Sequence, residues 1–178
     1  MIAHLCADRP EFGVLSGSAS RILAAGLAVI RIDEFGQSYQ PIASSLIRAI
    51  LAAQDADGGW GDTVTTVIAL RALLASQGNG VAVERAMRWL AQLQKPEGAW
   101  PDGPPRRLPA DAAATAFVLM HLGQDHRLRT VAKVVDAMQW LETNLEQLDA
   151  AGKRLAQRAL LRCKAVRAPS ATLFAVTA

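Results

Sequence analysis

Aromatic side chains are scarce in this chain of 178 residues, at 5%. Its interior must therefore be filled by Ala, Leu, Val and Ile, which favours helices packed closely through small residues. Cysteine is nearly absent. Cys6 and Cys163 stand alone near opposite ends, with no CxxC pair or Cys/His cluster. That pattern excludes a disulfide framework, fits a reducing compartment and predicts no metal site. No long hydrophobic run occurs either. The longest, Ile22 to Ile30, is too short to cross a bilayer. The N-terminus, MIAHLCADRPEF, lacks the basic and apolar regions of a signal peptide. A soluble cytoplasmic protein is expected, with no cofactor. Acidic residues are missing from positions 151–178, which carry six Lys/Arg and no Asp/Glu. Residues 1–150 carry 13 Lys/Arg and 16 Asp/Glu, so the net charge of +3 arises wholly from the C-terminal segment.

What the chain does have is an internal echo. LAAQDADGGW contains Gln54 and Trp60, and LAQLQKPEGAW contains Gln94 and Trp100, 40 residues later. In each, an Ala/Leu-rich stretch ends at Gln, a polar turn follows, and Gly-x-Trp closes it. Two further echoes support it. AMRWL at 86–90 reappears as AMQWL at 137–141, and Asp62-x-x-x-Thr66 reappears as Asp111-x-x-x-Thr115. A period of this length signals stacked supersecondary units.

Helical spacing of apolar residues and capping signals predict seven helices. The first runs through RILAAGLAVIRI, with Ser18 or Ser20 as cap, and Asp33 to Gln40 form a turn. The second is SSLIRAILAAQ, with Pro41 in its first turn. The third, VTTVIALRALLAS, follows a cap at Asp62 or Thr63 and is apolar nearly all round except for Arg71. Gly78-Asn79-Gly80 ends it. The fourth, VAVERAMRWLAQLQ, is amphipathic. PDGPPRRLP, with four prolines, cannot be a regular helix. Asp111 then caps AAATAFVLMHLG, again nearly all apolar. LRTVAKVVDAMQWLETNLEQL is expected as one long amphipathic helix. The basic seventh helix covers about 151–167. Residues 1–17 read as an arm, 18–167 as the repeat domain, and 168–178 as a flexible tail. Buried helices alternating with amphipathic ones imply an inner and an outer row of α-hairpins.

The Gln and Gly-x-Trp segments resemble the QW repeat of the squalene/terpene cyclase and protein prenyltransferase superfamily, over roughly residues 41–147. The resemblance implies an all-α fold, an α/α toroid of antiparallel helical hairpins. It gives Gln54, Trp60, Gln94 and Trp100 a structural role, tying one outer helix to the next. Complete toroids of the family hold about six hairpins. Seven helices make three and a half, hence a partial ring, half of a homodimeric ring, or one subunit completed by a partner protein.

Terpene cyclases of the proton-initiating class use the middle Asp of Asp-x-Asp-Asp at an inner-helix start. Here those stretches read Asp62-Thr63-Val64-Thr65 and Asp111-Ala112-Ala113-Ala114. Only Asp62 and Asp111 remain as candidate acids; Val64 and Ala113 cannot donate a proton. Asp55-Ala56-Asp57-Gly58 lies in a turn where Asp suits local backbone bonding. Carbocations also want aromatic faces, and Phe117 is the one aromatic expected on an inner helix. Candidate ligand-binding residues are Phe117 and His121 on that helix, and Arg106 and Arg107 in the Pro-rich loop as a diphosphate contact. His121 and His126, five apart, do not share a helical face. Three readings follow. The first is a repeat protein, non-catalytic alone, that binds an isoprenoid-like apolar ligand or a protein partner. The second is an isoprenoid-processing enzyme completed by dimerisation or a partner. The third is a membrane-surface adaptor using Arg154, Arg158 and Arg162 at i, i+4, i+8. The lack of interleaved aromatics argues against nucleic acid.

Overall fold

A computed structural model describes residues 17–36, 41–76, 80–104, 106 and 108–165. Residues 1–16 of the expected arm, Arg107, and residues 166–178, which include the expected tail at 168–178, lie outside the described residues. The fold is all-α. Its elements are α1 (Gly17–Glu34), α2 (Pro41–Ala52), α3 (Thr63–Ala75), α4 (Gly80–Leu93), α5 (Ala112–Leu122), α6 (His126–Val131), α7 (Val134–Thr143) and α8 (Ala150–Ala165). A 3-10 turn, Leu145–Gln147, separates α7 from α8.

Two rows of helices emerge from the packing. α3 lies between α1 and α5, and α5 packs against α8. α2 packs against α1 and α3, α4 against α3, and α7 against α5. Sequence pattern explains which helix takes which place. α3 buries Thr63, then Thr65 to Leu70, Ala72 and Leu73, so nearly every side of it meets protein. α5 does the same with Ala112, Ala114 to Ala116, Val118, Leu119 and Leu122. α4 instead buries a stripe of Ala82, Val83, Ala86, Met87, Trp89, Leu90 and Leu93. Its Glu84, Arg88 and Gln92 stay exposed. A helix apolar all round must be interior, whereas one with a polar face sits at the surface.

Close approach between α1 and α3 depends on a missing side chain. A Cβ at Gly26 would meet Ile68 Cγ2 at 2.7 Å. Caps start the two inner helices. Asp62 Oδ1 accepts from Thr65 N (2.8 Å), and Asp111 Oδ1 accepts from Ala114 N (2.6 Å). Each satisfies a backbone donor that the helix itself leaves free.

Three expectations need correction. The long helix expected from 128 to 148 is broken into α6, α7 and the 3-10 turn. Ala132 adopts φ −123°, ψ 153°, which is extended backbone. Gln94 occupies the gap: Lys133 N donates to Gln94 Oε1 (2.8 Å), and Gln94 Nε2 donates to the Lys133 carbonyl (3.2 Å). A side chain from another helix thus meets a backbone donor and acceptor at the break. Gly80 begins α4 instead of ending α3. Ser18 and Ser20 lie inside α1, which starts at Gly17.

Candidate functional site

The two Gln/Trp segments make matching bonds. Gln54 Nε2 donates to the carbonyls of Gly58 and Ala82, both at 2.9 Å. Gln94 Nε2 donates to those of Gly98 (2.6 Å) and Lys133. The indole N–H of Trp60 reaches the Ile50 carbonyl (2.8 Å), and that of Trp100 reaches the Leu90 carbonyl (2.9 Å). Trp60 N donates to Thr66 Oγ1 and Trp100 N to Thr115 Oγ1, each at 2.9 Å. Each Gln therefore joins its own turn to the start of the next outer helix. Each Trp ties the end of its outer helix to the start of an inner one. Trp100 is wholly buried.

Glycine is required in both turns. Gly58 and Gly98 have φ of 103° and 94°. A Cβ at Gly98 would meet Ala137 N at 2.5 Å, and one at Gly58 would meet the Arg85 carbonyl oxygen at 2.9 Å. The turn at 55–58 is occupied structurally. Asp57 Oδ2 accepts from Trp89 Nε1 (2.9 Å), and Asp57 Oδ1 accepts from Gly59 N (3.0 Å). Arg85 donates to the carbonyls of Asp55 and Ala56.

These turns place the starts of α3 and α5 side by side, and a carboxylate group forms there. Asp62 and Asp111 are both caps, and Asp62 Oδ2 also accepts from Thr65 Oγ1 (2.7 Å). Between them lies Asp102, a residue that sequence reasoning passed over as part of a proline-rich loop. Its backbone is pinned: Thr63 N donates to the Asp102 carbonyl (2.8 Å), and Thr63 Oγ1 donates to that of Pro101. Burial raises the Asp102 carboxyl above the usual carboxylate range, and the charges of Asp111 and Asp62 push it further. The signal available was the Asp-Gly pair directly after the Gly-x-Trp turn. It indicates a turn and says nothing about burial. A hollow of about 70 Å³ beside Asp111 is lined by Ala110, Ala112, Ala113, Gln147 and Leu148. It has room for a few waters.

The other candidates lie elsewhere. Phe117 and His121 sit together on α5, with ring centroids 4.4 Å apart and planes tilted by 46°. His121 is held down at about 4 by burial, then by Arg71 and Arg162. His126 is on a different helix, α6, and is exposed. Arg106 is exposed in the loop. Cys163 is buried, its Sγ 3.5 Å from the Leu119 carbonyl, and burial pushes its thiol up. Arg154, Arg158 and Arg162 are all exposed on α8. Among the described residues no three His, Cys, Asp or Glu side chains are grouped to hold a metal ion. No described helix is long and apolar enough to cross a membrane.

Part of the chain is similar to a drimenyl diphosphate synthase of Streptantibioticus cattleyicolor. The two are 33% identical over 97 residues. This partial likeness supports a terpene cyclase-like relationship. The match covers 48% of this chain and 18% of the length of that synthase. No family model and no solved structure matches the chain.

Proposed function

We propose that the chain is a terpene cyclase-like helical repeat unit that binds an apolar, isoprenoid-like ligand on its inner row and does not start a cyclisation alone. A second copy or a partner protein is the other occupant this row suits. One observation carries the reading. At both inner-helix starts the Asp side chain caps the helix, and the position two residues on is Val64 or Ala113. Each Asp side chain is engaged as a helix cap, and Val64 and Ala113 carry no proton to give. The test combines two measurements. Light scattering gives the mass in solution, and a thermal shift with farnesol, a neutral isoprenoid, reports ligand binding. Stabilisation by farnesol without turnover of farnesyl diphosphate is the expected result. Turnover by the isolated chain refutes the non-catalytic reading, and the absence of any shift refutes the ligand.

Asp102 favours a second reading, an isoprenoid-processing enzyme completed by dimerisation or another subunit. A half-buried carboxyl between two carboxylates keeps its proton to higher pH, as a general acid must. Product formation from farnesyl diphosphate that Asp102→Asn abolishes supports this reading. Activity unchanged in that variant removes it. The membrane-surface reading rests on the exposed arginines of α8. Flotation with anionic vesicles, lost when Arg154, Arg158 and Arg162 are neutralised, is its test.

A further inference from the structure

The two sides of α8 differ. Ala156, Ala159, Leu160 and Cys163 are buried, and α8 packs against α5. The other side exposes Arg154, Gln157, Arg158, Leu161 and Arg162. A helix anchored by its apolar stripe leaves the opposite face to solvent or to a partner. The anchoring is reinforced at the C-terminal end. Gln124 Nε2 donates to the Arg162 carbonyl (2.8 Å), and Arg129 Nη2 donates to that of Cys163 (3.1 Å). The outward side chains therefore stand on a fixed rod.

The helix contains no Asp or Glu, so its cations must find acids elsewhere. Two have done so. Lys153 Nζ lies 2.6 Å from Glu146 Oε2, and Lys164 Nζ lies 2.6 Å from Glu142 Oε1. Both pairs are on the flank of α8 that faces α7 and the 3-10 turn. Arg154, Arg158 and Arg162 have no carboxylate within ion-pair distance among the described residues. They recur every four residues. At 1.5 Å per residue they form a line about 12 Å long, with a guanidinium about every 6 Å. Leu161, 69% exposed, stands one turn beyond Arg158 on the same side.

We propose that this arginine line docks an acidic α-helical segment of a partner protein, with carboxylates four residues apart. Such a helix repeats its charges at the same 6 Å spacing, so each guanidinium meets one carboxylate. The planar fork of arginine suits that pairing. Leu161 adds an apolar contact at the edge of the line. The complementarity runs along a narrow line, which fits a rod better than an anionic plane. A bilayer would also meet Glu142 and Glu146 on the flank. It would further require apolar side chains to insert, and the apolar stripe of α8 is already spent against α5. The inference is independent of ligand binding by the inner row. It competes with the membrane-surface reading for the same arginines.

The probe is a fluorescein-labelled, alanine-based peptide with glutamates at i, i+4 and i+8. A scrambled peptide of equal composition is its control. Fluorescence anisotropy at low ionic strength gives both affinities. The patterned peptide should bind more tightly than the scrambled one, and added salt should weaken it. Arg154→Gln, Arg158→Gln and Arg162→Gln should each weaken binding roughly two- to fivefold, as loss of one exposed ion pair does. The triple variant should lose about tenfold or more. Arg88→Gln, on the exposed face of α4, should change nothing. Circular dichroism melts of the variants should match the parent, since none of the three side chains holds the fold. Equal affinity for the scrambled peptide overturns the proposal, and so does equal weakening by Arg88→Gln. Binding to phosphatidylserine vesicles without binding to the patterned peptide overturns it in favour of the membrane-surface reading.

Discussion

Gln94→Ala should destabilise the protein more than Gln54→Ala, although the two residues occupy equivalent turns. Gln94 takes part in three bonds, to the Gly98 carbonyl and to both the N–H and the carbonyl of Lys133. Gln54 takes part in two, to the carbonyls of Gly58 and Ala82. Gln94 is also buried and Gln54 only partly so. At a net ~0.5–1.5 kcal/mol per bond, the losses are roughly 2–4 kcal/mol for Gln94 and roughly 1–3 kcal/mol for Gln54. The difference should be about 1 kcal/mol, equivalent to about 2–4 °C in Tm for a domain of this size. Urea unfolding of both variants measures it. Amide exchange supplies the mechanism: the Lys133 N–H loses its acceptor in Gln94→Ala and should exchange faster, while α3 amides stay protected. The reasoning fails if Gln54→Ala costs as much, or if Lys133 exchange is unaltered.

Trp100→Phe removes the bond to the Leu90 carbonyl and leaves a void in a wholly buried site, so about 2–4 kcal/mol should be lost. A soluble variant of normal stability would count against it. Gly98→Ala should prevent stable folding, whereas Gly80→Ala should be mild, because Gly80 lacks a positive φ and a Cβ there meets nothing within 4 Å; circular dichroism melts distinguish them. Asp102→Asn should stabilise the protein at pH values where Asp102 is ionised, because burial and the charges of Asp111 and Asp62 disfavour its charged form in the folded state. A loss of stability in chemical denaturation would refute that. His121 is held at about 4 when folded against 6.5 for the free group. Between those values the unfolded chain binds more protons, so stability should decline as pH falls from about 6.5 towards 4. His121→Phe should remove that part of the pH dependence in urea titrations.

Much of the architecture was legible because it depends on period and composition. The all-round apolar pattern of Val64 to Leu74 and of Ala112 to Leu122 marks interior helices, and the stripe of α4 marks a surface one. Asp62 and Asp111 could be recognised as caps because capping is a local interaction. The break at Ala132 and Lys133 was not legible. Nothing in AKVV forbids a helix, and the competing partner is Gln94, 39 residues earlier in the chain. Asp102 escaped for the same reason, since the neighbours that perturb it come from two other segments.

What the sequence by itself determined is therefore the helical class, the alternation of inner and outer helices, and the Gln–Gly–Trp turns between them. Propensity, capping and hydrophobic period act within a few residues, so they can be read along the chain. Only the tertiary structure decided that Asp62, Asp102 and Asp111 gather at one end of the inner row. It also decided that His121 is partly buried beside Phe117, where burial and the charges of Arg71 and Arg162 oppose its protonation. Burial and charge act through space, and these residues become neighbours only when helices from different repeats are packed together.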